Sequence, residues 1–362
     1  MTDAPQSYLD PIVVRGRITR EQPKGLPVVN LGFNELPYGP TPKVAVALEA
    51  MMPRVYAYGT PYCDALRDAL GQANGLDPET IICGNGSEEL LDVIARNFAR
   101  AGDEILISAF GYIQFEMCAR RQSATIVKAP EADFTTDVDA LLGAITERTK
   151  LLFLANPNNP TGTLLPLSEV ERLVDHVPPH IPLVLDLAYG EFVDDAYCDA
   201  VHTLARNRVN VIVTRTFSKA YGLAGLRVGW AHVPKDMLPG LYAARGMGSV
   251  NAVAQAAAEA ALQDMAVVNM RVAETISERE RVAGVLTQRG LRILPSRTNF
   301  LMVTTGDAAQ TEALVVHLFE DAGLVVTRTR EAGLEDWMRF SMGTPEQNDL
   351  LLASVARFLE EG

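Results

Sequence analysis

The chain has 362 residues, 48% apolar and 21% charged, which excludes a largely disordered polypeptide and predicts two or three domains, or one large α/β domain with a smaller companion. Its 45 acidic and 32 basic residues leave a net charge of −13, so nucleic acid and membrane surfaces are disfavoured partners, whereas a small anion held by local arginines is not. Four scattered cysteines without a CxxC pair, no basic-then-apolar leader at the start and no apolar run of about 18 residues predict a reduced, cytoplasmic chain.

In chain order, residues 1–30 carry Pro5, Pro11, Pro23 and Pro27 and read as an irregular arm. From Thr80 onward, short β-prone runs (TIIC, EILISA, ATIVKA, KLLFLAN, PLVLDLAY, VNVIVTRTF) alternate with amphipathic Ala- and Leu-rich stretches. Runs that are apolar on both faces belong between helix layers, so the pattern predicts a mainly parallel sheet. After LRVGWAHV (226–233) a long helical tract runs to about Gln288. The tail then reads as strands and helices of a small α+β domain, closing with a helix from Pro345. The expected division is an arm with part of the small domain at 1–45, a large domain at 46–245, and a small C-terminal domain at 246–362 after a long connecting helix.

Several chemistries find no support. His176 and His180 are separated by Pro178 and Pro179, which break any helix that would align them on a metal. There is no G-x-S-x-G elbow and no Walker A loop. Gly84-Asn85-Gly86-Ser87 superficially resembles a dinucleotide loop, but Glu89 stands where its third glycine belongs.

Four other segments carry chemistry when weighed together. Gly84–Glu88 joins a strand to a helix, where backbone N–H groups and Ser87 suit an anion, or simply cap a tight turn. Asn156-Pro157-Asn158-Asn159-Pro160-Thr161-Gly162 follows the buried run LLFLA; a strand-exit turn explains its prolines and glycine but not its three asparagines. Asp186 ends the apolar run PLVLD, either as a desolvated acid awaiting a cationic partner or as a helix cap, with Tyr189 three residues on. Thr216-Phe217-Ser218-Lys219 follows VIVTR; a lysine at the edge of a buried strand is costly to keep charged and so suited to forming a Schiff base.

Together with NELPYGPTP (34–42), DLAYGEF (186–192), TFSKAYGLAGLRVGW (216–230) and MRFSMGTPEQN (338–348), these segments resemble the pyridoxal-phosphate aminotransferases of fold type I, and within them the histidinol-phosphate aminotransferase branch. The resemblance implies pyridoxal 5′-phosphate as cofactor and a large parallel-sheet domain beside a smaller α+β domain. It implies that Lys219 bonds the cofactor and carries protons. Asp186 would pair with the pyridine nitrogen, and Asn159 and Tyr189 would contact the phenolic oxygen. Gly86, Ser87, Glu88, Thr216, Ser218 and Arg227 would form the phosphate cup, with Phe110 stacked on the ring. Tyr58 would reach the neighbouring subunit's site, implying a homodimer with shared sites. Arg339 would clamp the substrate's anionic group beside Asn159 and Tyr58, with Arg328, or Arg330 two residues on, as a second arginine for a phosphate.

The chain departs from the family on the substrate side. Gly59-Thr60 replaces a usual Pro-Asp, Gly246–Ser249 replaces a Pro-Pro-aromatic-Asn stretch, and Ile12 stands where an N-terminal tyrosine is usual. Transfer of an amino group from histidinol phosphate to a 2-oxo acid leads the expectations. An aromatic or other amino-acid aminotransferase is the alternative, followed by a phosphothreonine-type decarboxylase; a sensor that only binds the cofactor would need a DNA-binding segment that residues 1–30 do not supply.

Overall fold

The protein is described by a computed structural model covering residues 25–329 and 331–361. The arm before residue 25, with Ile12, and Arg330 lie outside the described residues.

The large sheet has seven strands in the order Ile81–Gly84, Gly229–His232, Val211–Thr216, Leu183–Asp186, Thr149–Ala155, Glu104–Ser108, Thr125–Ala129. All are parallel except Gly229–His232, which runs antiparallel to both neighbours. The pleat sends alternate residues to opposite faces. Leu152, Leu154, Leu183, Leu185, Val211 and Val213 pack beneath helices Val138–Gly143, Leu167–His176 and Asp195–Arg206. Leu151, Phe153, Val184 and Ile212 pack on the other side against helices Ser87–Phe98, Ile113–Arg121 and Leu238–Ala244. Coverage on both faces is why these runs contain almost no polar residue until the strand ends.

The small domain is an antiparallel sheet in the order Arg292–Ile293, Phe300–Thr304, Trp337–Ser341, Thr327–Arg328. Leu301, Val303, Met338 and Phe340 from this sheet share a core with Leu314 and Leu318 of helix Ala308–Ala322 and Leu351 and Val355 of helix Pro345–Glu361. Leu31 joins the same core, and Val29–Asn30 pairs in parallel with Leu324–Val325.

The division expected at residue 246 is corrected by the packing. Helix Ala252–Leu262 buries Ala254, Ala257, Ala258 and Ala261 in the large-domain core with Val44, Ile81 and Cys83. The 24-residue helix Met265–Gln288 then serves both cores: Val268 and Val272 lie in the first, Val282 and Leu286 in the second. Alanines let helix Ala252–Leu262 lie close against its neighbours, so the first part of the helical tract packs with the large domain and only the second part, Met265–Gln288, connects the two.

Among the described residues no helix is long and apolar enough to cross a membrane.

The start of the antiparallel strand abuts the start of helix Ser87–Phe98. A Cβ on Gly229 would lie 2.3 Å from the Ser87 nitrogen and 2.7 Å from the Gly86 carbonyl carbon, both backbone atoms that cannot swing aside. Gly229→Ala is expected to lower the apoprotein's unfolding free energy by about 1–3 kcal/mol through overpacking, measured by urea denaturation against the parent.

Candidate active site

Parallel strands deliver their carboxyl ends to one edge of the sheet, and the antiparallel strand delivers its beginning to the same edge. A cleft of roughly 530 Å³, counted with its open mouth, lies there. Its walls include Ser87, Glu88, Tyr112, Asn159, Asp186, Tyr189, Thr216, Ser218, Lys219 and Arg227.

Asp186 is the last residue of its strand and only 3% exposed. The sheet register sets it beside Thr214, whose hydroxyl donates to Asp186 Oδ1 at 2.8 Å. Burial pushes its carboxyl up to about 6, against the opposing pull of the Thr214 hydroxyl and the Ala188 N–H. A cation brought to this wall would relieve the cost of keeping the group ionised.

Three residues on, the Tyr189 hydroxyl accepts from Asn34 Nδ2 at 2.8 Å and from Asn159 Nδ2 at 3.5 Å. Burial raises this phenol to about 12, so it stays protonated at neutral pH. The Lys219 amine lies 5.7 Å from the Tyr189 ring centre and donates to the Phe33 and Asn34 carbonyls at 3.3 and 3.1 Å. Burial and then the nearby Arg339 charge push Lys219 down to about 8, which raises the share of neutral, nucleophilic amine near neutral pH.

The three asparagines of the proline-rich turn separate by function. Asn156 pins the turn from beneath, donating to the Leu165 carbonyl at 3.1 Å and accepting from its N–H at 2.8 Å. Asn158 reaches the Phe110 carbonyl at 3.0 Å and the Thr161 hydroxyl at 2.9 Å. Asn159 alone lines the cleft, and Arg339 donates to its Oδ1.

The opposite end of the cleft suits a phosphate. Gly86 adopts φ +80° at the cap of helix Ser87–Phe98, and a Cβ there would sit 2.4 Å from an Arg227 guanidinium nitrogen. Glycine therefore lets Arg227 close over the helix N-terminus, whose N–H groups favour an anion. Arg227 donates to the Ser218 hydroxyl at 3.3 Å, and the Ser218 N–H donates to Thr216 Oγ1 at 3.1 Å. The Glu88 carboxylate takes donors from Tyr112 at 2.6 Å and Arg227 at 3.2 Å. Being anionic, it can serve a phosphate only through its backbone N–H.

Two expectations are corrected and one residue was missed. Phe110 is not among the cleft walls; it stacks on Phe134 with centroids 5.7 Å apart, next to Trp337. Tyr112 provides the cleft aromatic, because the chain turns at Gly111, whose N–H bonds the Ser108 carbonyl at 2.9 Å. The expectation placed the aromatic too close to the strand end, although the tyrosine just before a helix was visible in the sequence. Arg328 lies on the wrong face of its strand. Thr327 is the residue opposite Arg339, whereas Arg328 is opposite Met338, and its guanidinium is engaged by Glu312 and the Glu335 carbonyl. Tyr58 is fully exposed and does not line the cleft.

A nucleophilic amine, a buried acid with no cation in contact among the described residues, and a helix N-terminus covered by Arg227 meet at one sheet edge, an arrangement suited to a bound carbonyl cofactor that carries a phosphate. The chain belongs to the class I and II aminotransferases, whose family model matches residues 27–355. It is 40% identical over 333 residues to a histidinol-phosphate aminotransferase of Paramagnetospirillum magneticum, covering 92% of each chain. It is 41% identical over 337 residues to the enzyme of that name from Sphingopyxis alaskensis, covering 91% of each. Its structure matches that of histidinol-phosphate aminotransferase from Sinorhizobium meliloti, solved with pyridoxal 5′-phosphate, at a TM-score of 0.87 and 31% identity, covering 92% of this chain and 91% of that one. Enzymes of the family use pyridoxal 5′-phosphate, and the donor set fits it: a buried acid for a basic ring nitrogen, hydroxyl and amide groups for a phenolic oxygen, and a helix N-terminus with Arg227 for a phosphate.

Asp186 carries its raised pKa as a stability cost. A carboxyl raised from 3.8 to about 6 on folding costs nothing below pH ~4, where both states hold the proton. The cost grows between those values and is complete above about 6, at about 3 kcal/mol for a two-unit shift. Asp186→Asn is therefore expected to raise the apoprotein's thermal midpoint at pH 7.5, with the gain fading as the pH falls from about 6 and gone below ~4; parallel calorimetry of the two apoproteins checks this.

Proposed function

We propose that the chain is a pyridoxal-phosphate aminotransferase for histidinol phosphate, acting as a cytoplasmic homodimer with shared active sites. The observation that carries the substrate reading is the chain of contacts from Arg339 to Asn159 to Tyr189, with Lys219 beside the same tyrosine. It sets a guanidinium for an anionic group next to the amine that handles the substrate's nitrogen-bearing carbon. The names of the 40% identical relatives support the same substrate.

When bound, the cofactor supplies a carbonyl that takes up the amino group and a conjugated ring that accepts electrons from Cα. Asp186 would hold the ring nitrogen with its proton, and Tyr189 and Asn159 would hold the phenolic oxygen. Ser87, Thr216, Ser218, Arg227 and the Glu88 N–H would hold the phosphate beside the Gly86 turn, with Tyr112 against the ring. Lys219 would be the base at the substrate's Cα, its amine placed to hold the proton taken from that carbon. Its lowered pKa suits that role near neutral pH. Arg339 grips the anionic group and fixes which Cα bond faces the lysine.

The placement of Arg328 favours a second reading, an amino-acid aminotransferase whose substrate carboxylate Arg339 holds alone. Arg339→Gln is expected to lower kcat/KM for histidinol phosphate by about 30-fold or more, the loss of one charge-assisted anchor, while Arg328→Gln stays within about two-fold of the parent, as for a residue outside the site. Half-reactions with histidinol phosphate and with phenylalanine, followed by bleaching of the bound cofactor, decide the substrate. Preference for phenylalanine hands the assignment to the second reading, and release of CO₂ rather than a keto product to a decarboxylase.

The homodimer rests on surface chemistry. Val46, Met52, Val55, Tyr56, Tyr58 and Met247 are each at least 63% exposed, five of them within residues 46–58, and a partner copy seated there would cover them. The four buried free cysteines fit a reducing compartment. Co-refolding Tyr58→Ala with Lys219→Ala is expected to restore activity that neither parent shows, because a heterodimer keeps one site free of both lesions. Sedimentation should show a dimer; an active monomer would exclude the shared site.

A further inference from the structure

The segment Leu31–Glu35 crosses the cleft between the two domains without regular structure. Its Gly32 carbonyl accepts from Arg339 at 3.1 Å and from the Thr327 hydroxyl at 2.9 Å. Its Phe33 and Asn34 carbonyls accept from Lys219, and Asn34 also receives Asn299 Nδ2 at 3.0 Å. Asn34 is only 2% exposed and holds φ +56°, a left-handed conformation that asparagine tolerates better than other side chains except glycine.

We infer that Asn34 is a positioning residue that makes Tyr189 a hydrogen-bond donor toward the cleft. The Asn34 amide donates to the Tyr189 oxygen at 2.8 Å, with Asn159 as a longer second donor at 3.5 Å. A phenol oxygen has two acceptor positions and one proton. With both acceptor positions facing asparagine amides, the O–H is left to point into the cleft, toward the phenolic oxygen of the cofactor. Asparagine answers two demands at this position: the left-handed backbone and a neutral donor. Aspartate would present an acceptor and draw the phenol proton to itself, and glycine would keep the turn but lose the donor.

The inference rests on the proposed contact between Tyr189 and the cofactor, and the test separates the two. The pH midpoint of the visible absorbance of the bound cofactor is measured in the holoenzyme, with kcat and KM alongside. Tyr189→Phe is expected to move the midpoint, and Asn34→Gly to move it the same way by about 0.5 pH unit or more, as befits a lost hydrogen bond. Asn34→Gly should also lower kcat with little change in KM. In the Tyr189→Phe background Asn34→Gly should add no further shift, because the two residues act as one unit. Asn34→Asp preserves side-chain volume should the glycine variant fail to fold; it should move the midpoint further in the presence of Tyr189 than in its absence, the remainder being its charge. An unmoved midpoint in Asn34→Gly, an undiminished shift without Tyr189, or a parent-like Asn34→Asp would each overturn the inference. An unmoved midpoint in Tyr189→Phe would overturn both the inference and the cofactor contact beneath it.

Discussion

A carboxylate at the end of a strand sealed on both faces is the constraint around which the site is arranged. Among the described residues Asp186 has one hydroxyl and one N–H to hold it and no cation in contact. Such a group costs stability when ionised unless a cationic partner offsets its burial, and the cleft beside it leaves room for one. The sheet imposes the rest. Because the register places Thr214 beside Asp186, the strand carrying Thr214 also ends at the cleft, bringing Thr216, Ser218 and Lys219 within reach of the same cavity. The antiparallel strand beside it starts at Gly229, so Arg227 enters from the same edge. Strand order, direction and the position of one buried acid together fix where positive and negative charge fall in the cleft.

The segment Leu31–Glu35 gives this site a second level of organisation. It belongs to neither sheet of the site, yet it bonds Arg339 of the small domain, Lys219 of the large domain and the Tyr189 hydroxyl. The substrate-facing cation and the nucleophilic amine thus lean on the same short stretch of backbone. Its three consecutive carbonyls, of Gly32, Phe33 and Asn34, together accept from four side chains, Arg339, Thr327, Lys219 and Asn299.

The residues legible in the sequence were those marked by an abrupt change of environment along the chain. Asp186, Asn159 and Lys219 each follow an apolar run, and local context suffices to place them at strand ends. The fold class was legible for the same reason, since two-sided burial leaves an unbroken apolar signature. What escaped depended on geometry across segments. Phe110 and Tyr112 are two residues apart, and only the turn at Gly111 decides which enters the cleft. Arg328 sits on a two-residue strand, too short for alternation to reveal its face, and pairing with Met338 turns it away from the site. The domain division escaped because alanine packing against helix Pro42–Met51 leaves no periodic mark that a long helical tract would not also carry. Asn34 was visible within NELPYGPTP, but its polar contacts reach residues 155 and 265 positions away.

The helix Met265–Gln288 is shared between two cores, which makes its residue count a structural dimension. Each residue advances the helix by 1.5 Å and turns it by about 100°. The span from Val272 to Val282 therefore works as a shaft of set length and phase: it decides how far the small-domain sheet stands from the large one, and which way that sheet faces. Adding or removing one residue there would leave each domain able to form its own core while rotating Arg339 away from Asn159 and Lys219. A loop can absorb a change of length by bending, whereas here a change of length would pass directly into the alignment of the active site.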